Sequence, residues 1–281
     1  MNNKNKLNWD NKLKYNKKIH NKICSTYNSK HKEIYNDYEQ NRLSWCIDNL
    51  LELSPTNEPY VLDIWSWTWN LTKFFLEKNC NIVSSDVSKK SLDYLEKRFN
   101  YNKKLSTKII TWEDLPFDDN IFDITVTYSV LHHIPDYLNT VKEMIRVTKS
   151  WWIIFIDHEL NENKWNNSII LQEYYNLCSE NLITKLKRLF VKLEIFDFKK
   201  WYSFFIVKFI NPRFQLEWDI HVWNDDHIEW NKIKGVLLDN NCEIIKEMDY
   251  LLYNINVDLE IFNSYKDKIS DTKFLIIKKN I

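Results

Sequence analysis

Glycine is almost missing from this sequence. Gly235 is the single one, where average usage of about 7% would give roughly 20. Alanine is absent, and proline and arginine are scarce. Glycine is the residue that supplies turns, helix ends and close backbone approaches without steric cost, so other residues must occupy those places. Charge of neither sign is in excess, because Lys+Arg and Asp+Glu both number 39. That balance argues against a protein dominated by phosphate-backbone binding, although a local basic patch remains compatible with it. The five cysteines (Cys24, Cys46, Cys80, Cys178, Cys242) are scattered and form no metal-type pair. Reduced thiols in a cytoplasmic protein are the expectation. No apolar run approaches the length of a transmembrane segment, and no signal peptide is read. At 281 residues, 44% of them apolar, the chain fits one large domain with room for an insertion.

Tryptophan, by contrast, occurs 13 times. Abundant Asn, Lys, Ile, Tyr and Phe point to a gene rich in A and T, which should deplete tryptophan as well. Indoles belong in cores and interfaces, yet here they stand where chains turn. In Val61-Leu62-Asp63-Ile64-Trp65-Ser66-Trp67-Thr68-Trp69-Asn70 an apolar strand runs into three indoles at every second position, and a helical pattern follows. Ser150-Trp151-Trp152 sits where a helix ending at 146–149 is expected to turn into a strand at 153–156, a place that favours glycine. Trp112 ends a β-run, and Trp223 is expected to precede a helix capped by Asn224-Asp225. An aromatic stripe on one strand face is the competing reading of 65, 67 and 69, but it leaves the other turn-marking tryptophans unexplained. We therefore expect most of these tryptophans to be UGA codons, which some bacterial lineages decode as glycine; UGG at 65, 67 and 69 would sink this idea.

With glycine at 65, 67 and 69 the segment reads V-L-D-I-G-S-G-T-G-N. In that form it resembles the first motif of class I, S-adenosyl-L-methionine-dependent methyltransferases (type 11-like). The dinucleotide fingerprint spaces its glycines differently. The resemblance continues in order: Asn81–Asp86 as a short strand ending in a carboxylate, Thr111-Trp112-Glu113 leading into Leu115-Pro116-Phe117, Val126–Ile134 as the strand-four segment, and Trp151-Trp152 at the turn before strand five. It covers roughly residues 31–157, with a weaker end at 225–279. It implies an α/β fold, Rossmann-like and doubly wound, with a mostly parallel seven-stranded sheet, an antiparallel last strand and a helical insert after strand five. It also implies cofactor binding by Asp63, Ile64, Trp65, Ser66, Trp67, Trp69, Asp86, Val87, Thr111, Trp112, Glu113 and Ser129. Asp86 would meet the ribose hydroxyls. Three real indoles in the first loop would fill the cofactor's place, so the tryptophan chain itself should bind it poorly or not at all.

Residues 1–22 read as a disordered Asn/Lys-rich tail, 23–157 as the cofactor-binding core with an N-terminal helix at 31–53, and 158–222 as an insert or substrate cap. Residues 223–281 read as the last crossover helix and closing strands. The basic-aromatic stretch 183–214 suggests a lid over an apolar substrate or peripheral membrane contact; a helical insert with a private core and a solvated basic face is the plainer alternative. His132 and His133, following strand four, are the candidates for a catalytic base, with substrate packing or a structural hydrogen bond as the other reading. Asp157-His158-Glu159, together with Asp219 and His221, could be read as metal ligands, but no spacing matches a known ligand motif; no metal is expected, and such residues more often orient a polar substrate. The expected activity is methyl transfer to a small-molecule or lipid-like acceptor. An RNA methyltransferase, with nucleic acid as partner, and a non-catalytic protein of the same fold are the alternatives.

Overall fold

The structure is a computed structural model that describes residues 31–66, 69–111, 114–166, 168–179, 202, 205, 209 and 219–280. Trp67, Trp112, Glu113, the tail 1–22 and almost all of 183–214 lie outside the described residues.

The chain runs α1 (Asp37–Glu52), β1 (Tyr60–Ile64), α2 (Asn70–Glu77), β2 (Asn81–Asp86), α3 (Lys89–Arg98), β3 (Leu105–Ile109), β4 (Phe122–Tyr128), α4 (Tyr137–Val147) and β5 (Thr148–Leu160). It continues through α5 (Ile169–Cys178), the hairpin β6 (Val222–Trp223) and β7 (Asp226–His227), α6 (Trp230–Asp239), β8 (Cys242–Tyr250), α7 (Leu259–Tyr265) and β9 (Thr272–Lys279). Seven strands form one sheet in the order β3-β2-β1-β4-β5-β9-β8. The strands from β3 across to β5 pair in parallel, and β9 lies antiparallel between β5 and β8. This is the α/β, doubly wound, Rossmann-like architecture expected, with its antiparallel last strand. β4 is buried along its whole length, as a parallel strand covered on both faces must be. The helices seal two apolar clusters, one on each side of the sheet. One contains Leu62, Ile64, Met144, Ile154 and Ile277; the other contains Val61, Leu43, Phe75, Phe155 and Ile276. Alternate residues of one strand thus serve opposite faces.

Three local expectations are corrected. The first helix begins at Asp37, not His31, because the Asn36 side chain accepts the Glu39 N–H and caps it there. Ser150-Trp151-Trp152 do not form a turn ahead of β5. They lie within it, in a bulge: Phe122 pairs with Thr148 and Ile124 already with Ile153, so the intervening residues of β5 loop out. Asn224-Asp225 caps no helix; these residues are the two-residue turn between β6 and β7, and α6 starts only at Trp230. Gly235 lies in α6 with open space where a Cβ would stand, so nothing in the structure demands glycine there.

Candidate functional site

In open α/β sheets the ligand crevice lies outside the carboxyl ends of the strands where the strand order reverses. Here that point is between β1 and β4. β1 ends at Ile64, and the chain turns at once: Trp65 sits at φ 62 and Trp69 at φ 47, both left-handed. An aromatic strand stripe is therefore excluded for these two. Between them, Ser66 N–H donates to Ser85 O (2.9 Å) and Trp69 N–H to Ser66 O (2.5 Å). Trp69 occupies the N-cap position of α2 without any side-chain cap bond. Its ring carries the Arg98 guanidinium at 3.6 Å.

Asp63 points inward. Its Oδ2 accepts from Thr72 Oγ1 (2.7 Å), which also lies 2.7 Å from Ser84 Oγ. Burial pushes the Asp63 carboxyl up to about 7, against the lowering effect of the Thr72 bonds. A buried acid with a raised pKa stabilises the fold below its unfolded value of 3.8 and loses that contribution as pH rises through about 7. The variant Asp63→Asn should therefore show a flatter decline of Tm between about pH 4 and 8 than the parent chain; a parallel decline in both would refute the assignment. Asp86 closes β2 with its Oδ1 accepting the Ser88 N–H (2.6 Å), and Val87 beside it is buried. Thr111 is exposed, with Oγ1 3.4 Å from Asp114 O. Ser129 closes β4 at φ 58, and its N–H donates to Asp157 O (2.9 Å). Asp63, Ile64, Trp65, Ser66, Trp69, Asp86, Val87, Thr111 and Ser129 thus all follow or end strands at this one edge of the sheet.

Whether S-adenosylmethionine fits these residues can be read from Trp65. Its side chain is 3% exposed and belongs to the core cluster that holds Val83, Val87, Ile110 and Leu115. An indole is thus packed into the core at the carboxyl end of β1, the end of the sheet at which ligands of such folds bind. The residues as written do not accommodate the cofactor.

His132 and His133 form a 3₁₀ turn after β4. Glu159 at the far end of β5, fully buried, accepts the N–H groups of Val130 and Leu131 on Oε1, while Oε2 lies 2.7 Å from His132 Nδ1. Burial works to lower the His132 pKa, but the Glu159 charge and hydrogen bond outweigh it and leave it raised. Asp219 comes to 3.3 Å from His133 Nδ1 and 4.0 Å from His132 Nε2. Sequence alone kept these residues apart, the histidines as bases and Asp219 as an unmatched acid, because Asp219 is remote in the chain.

A second buried network sits beside it. Arg42 of α1 donates to Glu39 (2.8 Å) and to Asp157 (3.0 Å), and stacks 4.1 Å over the Tyr250 ring. Tyr250 OH donates to Asp157 Oδ1 (2.9 Å). His158 is stacked on Tyr128, and burial followed by the Arg42 charge pushes its pKa down to about 3. His158 is thus neutral at physiological pH. His221 is engaged elsewhere, with Asp226 at 2.5 Å and Ile134 O at 3.0 Å.

Residues 67–155 match the methyltransferase domain family. A ubiquinone/menaquinone biosynthesis C-methyltransferase of Rickettsia bellii is 26% identical over 161 residues, 54% of this chain and 63% of that protein. An uncharacterised methyltransferase of Staphylococcus carnosus is 27% identical over 160 residues, 54% of this chain and 71% of that protein. Among solved structures, an S-adenosylmethionine-dependent methyltransferase of Methanosarcina mazei superposes with a TM-score of 0.52 at 17% identity, covering 84% of this chain and 97% of that one. At that identity the superposition speaks for the fold alone. The chain spans less than two thirds of the length of the Rickettsia protein. The matched residues 67–155 carry the likeness to methyltransferase domains, and they lie within a seven-stranded Rossmann-like sheet.

Proposed function

We propose that this protein is an S-adenosyl-L-methionine-dependent methyltransferase acting on a small-molecule or lipid-like acceptor, and that its working form carries glycine at 65, 67, 69, 112, 151 and 152. The observation that carries the second half is conformational. Trp65, Trp69 and Trp151 (φ 73) all lie in the left-handed region that favours glycine. Trp230, by contrast, begins a regular helix, is fully buried and donates its indole N–H to Leu160 O at 2.9 Å. It is a tryptophan used as one. The gene should accordingly read UGA at 65, 69 and 151 and UGG at 230.

The cofactor supplies an activated methyl group, so the chain's own task is to align the acceptor and exclude water. His132 and His133 stand at the acceptor side and carry its deprotonation. The His132→Gln variant of the glycine chain should lose roughly 100-fold or more in kcat. An unchanged kcat with a known acceptor would remove His132 from the mechanism.

A lipid-like acceptor is supported by Tyr202, Phe205 and Phe209 of the insert, which expose their rings, the latter two 5.0 Å apart. The name of the Rickettsia relative points the same way, toward a small-molecule acceptor methylated on carbon. No helix among the described residues is long and apolar enough to cross a membrane, so contact with a lipid surface would be peripheral, through 183–214. A cytoplasmic place agrees with Cys46, Cys80, Cys178 and Cys242, all free and buried. The readout is methyl transfer from labelled cofactor to quinol-type and lipid acceptors by the glycine chain. Transfer to RNA alone, with strong salt dependence, would favour the nucleic-acid alternative.

A further inference from the structure

We propose that His132, His133 and Asp219 form a binding site for one divalent transition-metal ion of the zinc type. One ligand atom from each lies within 4.8 Å of the other two. Around such an ion, ligand atoms bonded at about 2.1 Å stand about 3 to 3.5 Å apart. The 3.3 Å between His133 Nδ1 and Asp219 already meets that spacing; the 4.0 Å from Asp219 to His132 Nε2 needs a small closure, and a separation out to 4.8 Å within the set must close by about 1 Å on an ion. Two imidazoles with one carboxylate are a donor set suited to zinc, manganese or iron(II), and three protein ligands leave positions open.

The surroundings hold the set in place. Glu159 engages Nδ1 of His132 and so leaves Nε2 as the ring atom turned toward Asp219. Carboxylates that fix a ligand histidine by its other nitrogen are a regular part of metal sites. Glu159 is itself pinned by the Val130 and Leu131 N–H groups. The 219–221 segment is tied to the same turn, since Ile220 and His221 N–H both donate to His132 O (2.9 and 3.0 Å). Asp219 is therefore brought to the histidines by main-chain bonds as well as by its own charge.

This inference rests on reading the turn as the acceptor side. An ion there would bind an acceptor's hydroxyl oxygen as the anion: the O–H bond breaks, a metal–oxygen bond forms, and the proton leaves to solvent. That chemistry selects acceptors bearing a phenol or enol oxygen next to the methylated position. The histidines then act on the acceptor through the ion.

Metal binding needs no working cofactor loop, so the full tryptophan chain serves as well as the glycine chain. Freed of metal by chelator and titrated with Zn²⁺ in a calorimeter, it should bind one ion. His133→Ala and Asp219→Asn should each weaken binding at least tenfold, Glu159→Gln should weaken it about tenfold through His132, and His31→Ala should leave it unchanged. Circular dichroism checks that each variant folds. No stoichiometric binding, or equal binding by all variants, overturns the site. Zinc binding by a glycine chain that methylates no acceptor keeps the site and removes the methyltransferase reading. Methylation undiminished by chelator overturns the ion's part in the reaction.

Discussion

Calorimetry will show micromolar S-adenosylmethionine binding to a chain with glycine at 65, 67, 69, 112, 151 and 152, and no heat from the tryptophan chain. Two separate costs fall on the tryptophan chain. Left-handed backbone costs an L-residue on the order of 1–2 kcal/mol, and Trp65, Trp69 and Trp151 all adopt it. The second cost is volume, since the Trp65 indole is buried at the β1 carboxyl end among the residues flanking the cleft. Glycine removes both at once. Trp151 separates the two effects, because it is 57% exposed in the β5 bulge. Trp151→Gly alone should raise Tm without restoring binding, whereas Trp65→Gly, Trp67→Gly and Trp69→Gly together should restore binding. Failure of the fully substituted chain to bind would hand the lead to a non-catalytic protein that keeps the fold.

The second large effect concerns Arg42. Removing its guanidinium leaves Glu39 and Asp157, both fully buried, without their shared counter-charge. Breaking a buried pair in this way costs about 3–5 kcal/mol, which for a domain of this size lowers Tm by on the order of 10 °C. The penalty has a predictable sign with pH. Burial already raises the Glu39 pKa, opposed chiefly by Arg42, and in Arg42→Ala that opposition is gone. A raised acid pKa means stability that is present below the unfolded value and lost as pH rises through the folded one. Thermal melts of Arg42→Ala should therefore diverge from the parent most at alkaline pH and least near pH 5. Arg42→Lys should recover only part of the loss, since an ammonium cannot fork between two carboxylates. Equal melts for the parent and Arg42→Ala would show that the network is not what joins α1 to the sheet.

Sequence patterning located the strands closely. Asn81–Asp86, expected as a short strand ending in a carboxylate, is β2, and the closing strands expected within 223–281 are β8 and β9. The turn after β1 was legible for a reason outside hydrophobic pattern: tryptophan stands at 65 and 69, where the backbone takes a positive φ. What pattern could not supply is what depends on distant partners. Arg42 reaches Asp157 across 115 residues, and Asp219 meets His133 although the two are far apart in the chain. The start of α1 was misplaced because Ile34 is buried and fits the helical period, while the Asn36 cap sets the boundary. The β6–β7 hairpin, two residues to a strand, is too short to leave any periodic trace.

The place of β9 bears on how the molecule is made. β5 is finished at Leu160, but the strand that must lie against it begins only at Thr272. β8 leaves the ribosome earlier and, among the described residues, pairs with β9 alone. During synthesis the edge of β5 therefore waits uncovered while the insert, α6 and β8 are added. Such an open edge is a template for other chains. Expression should thus be limited less by the stability of the finished sheet than by what shields β5 until Thr272–Lys279 emerges.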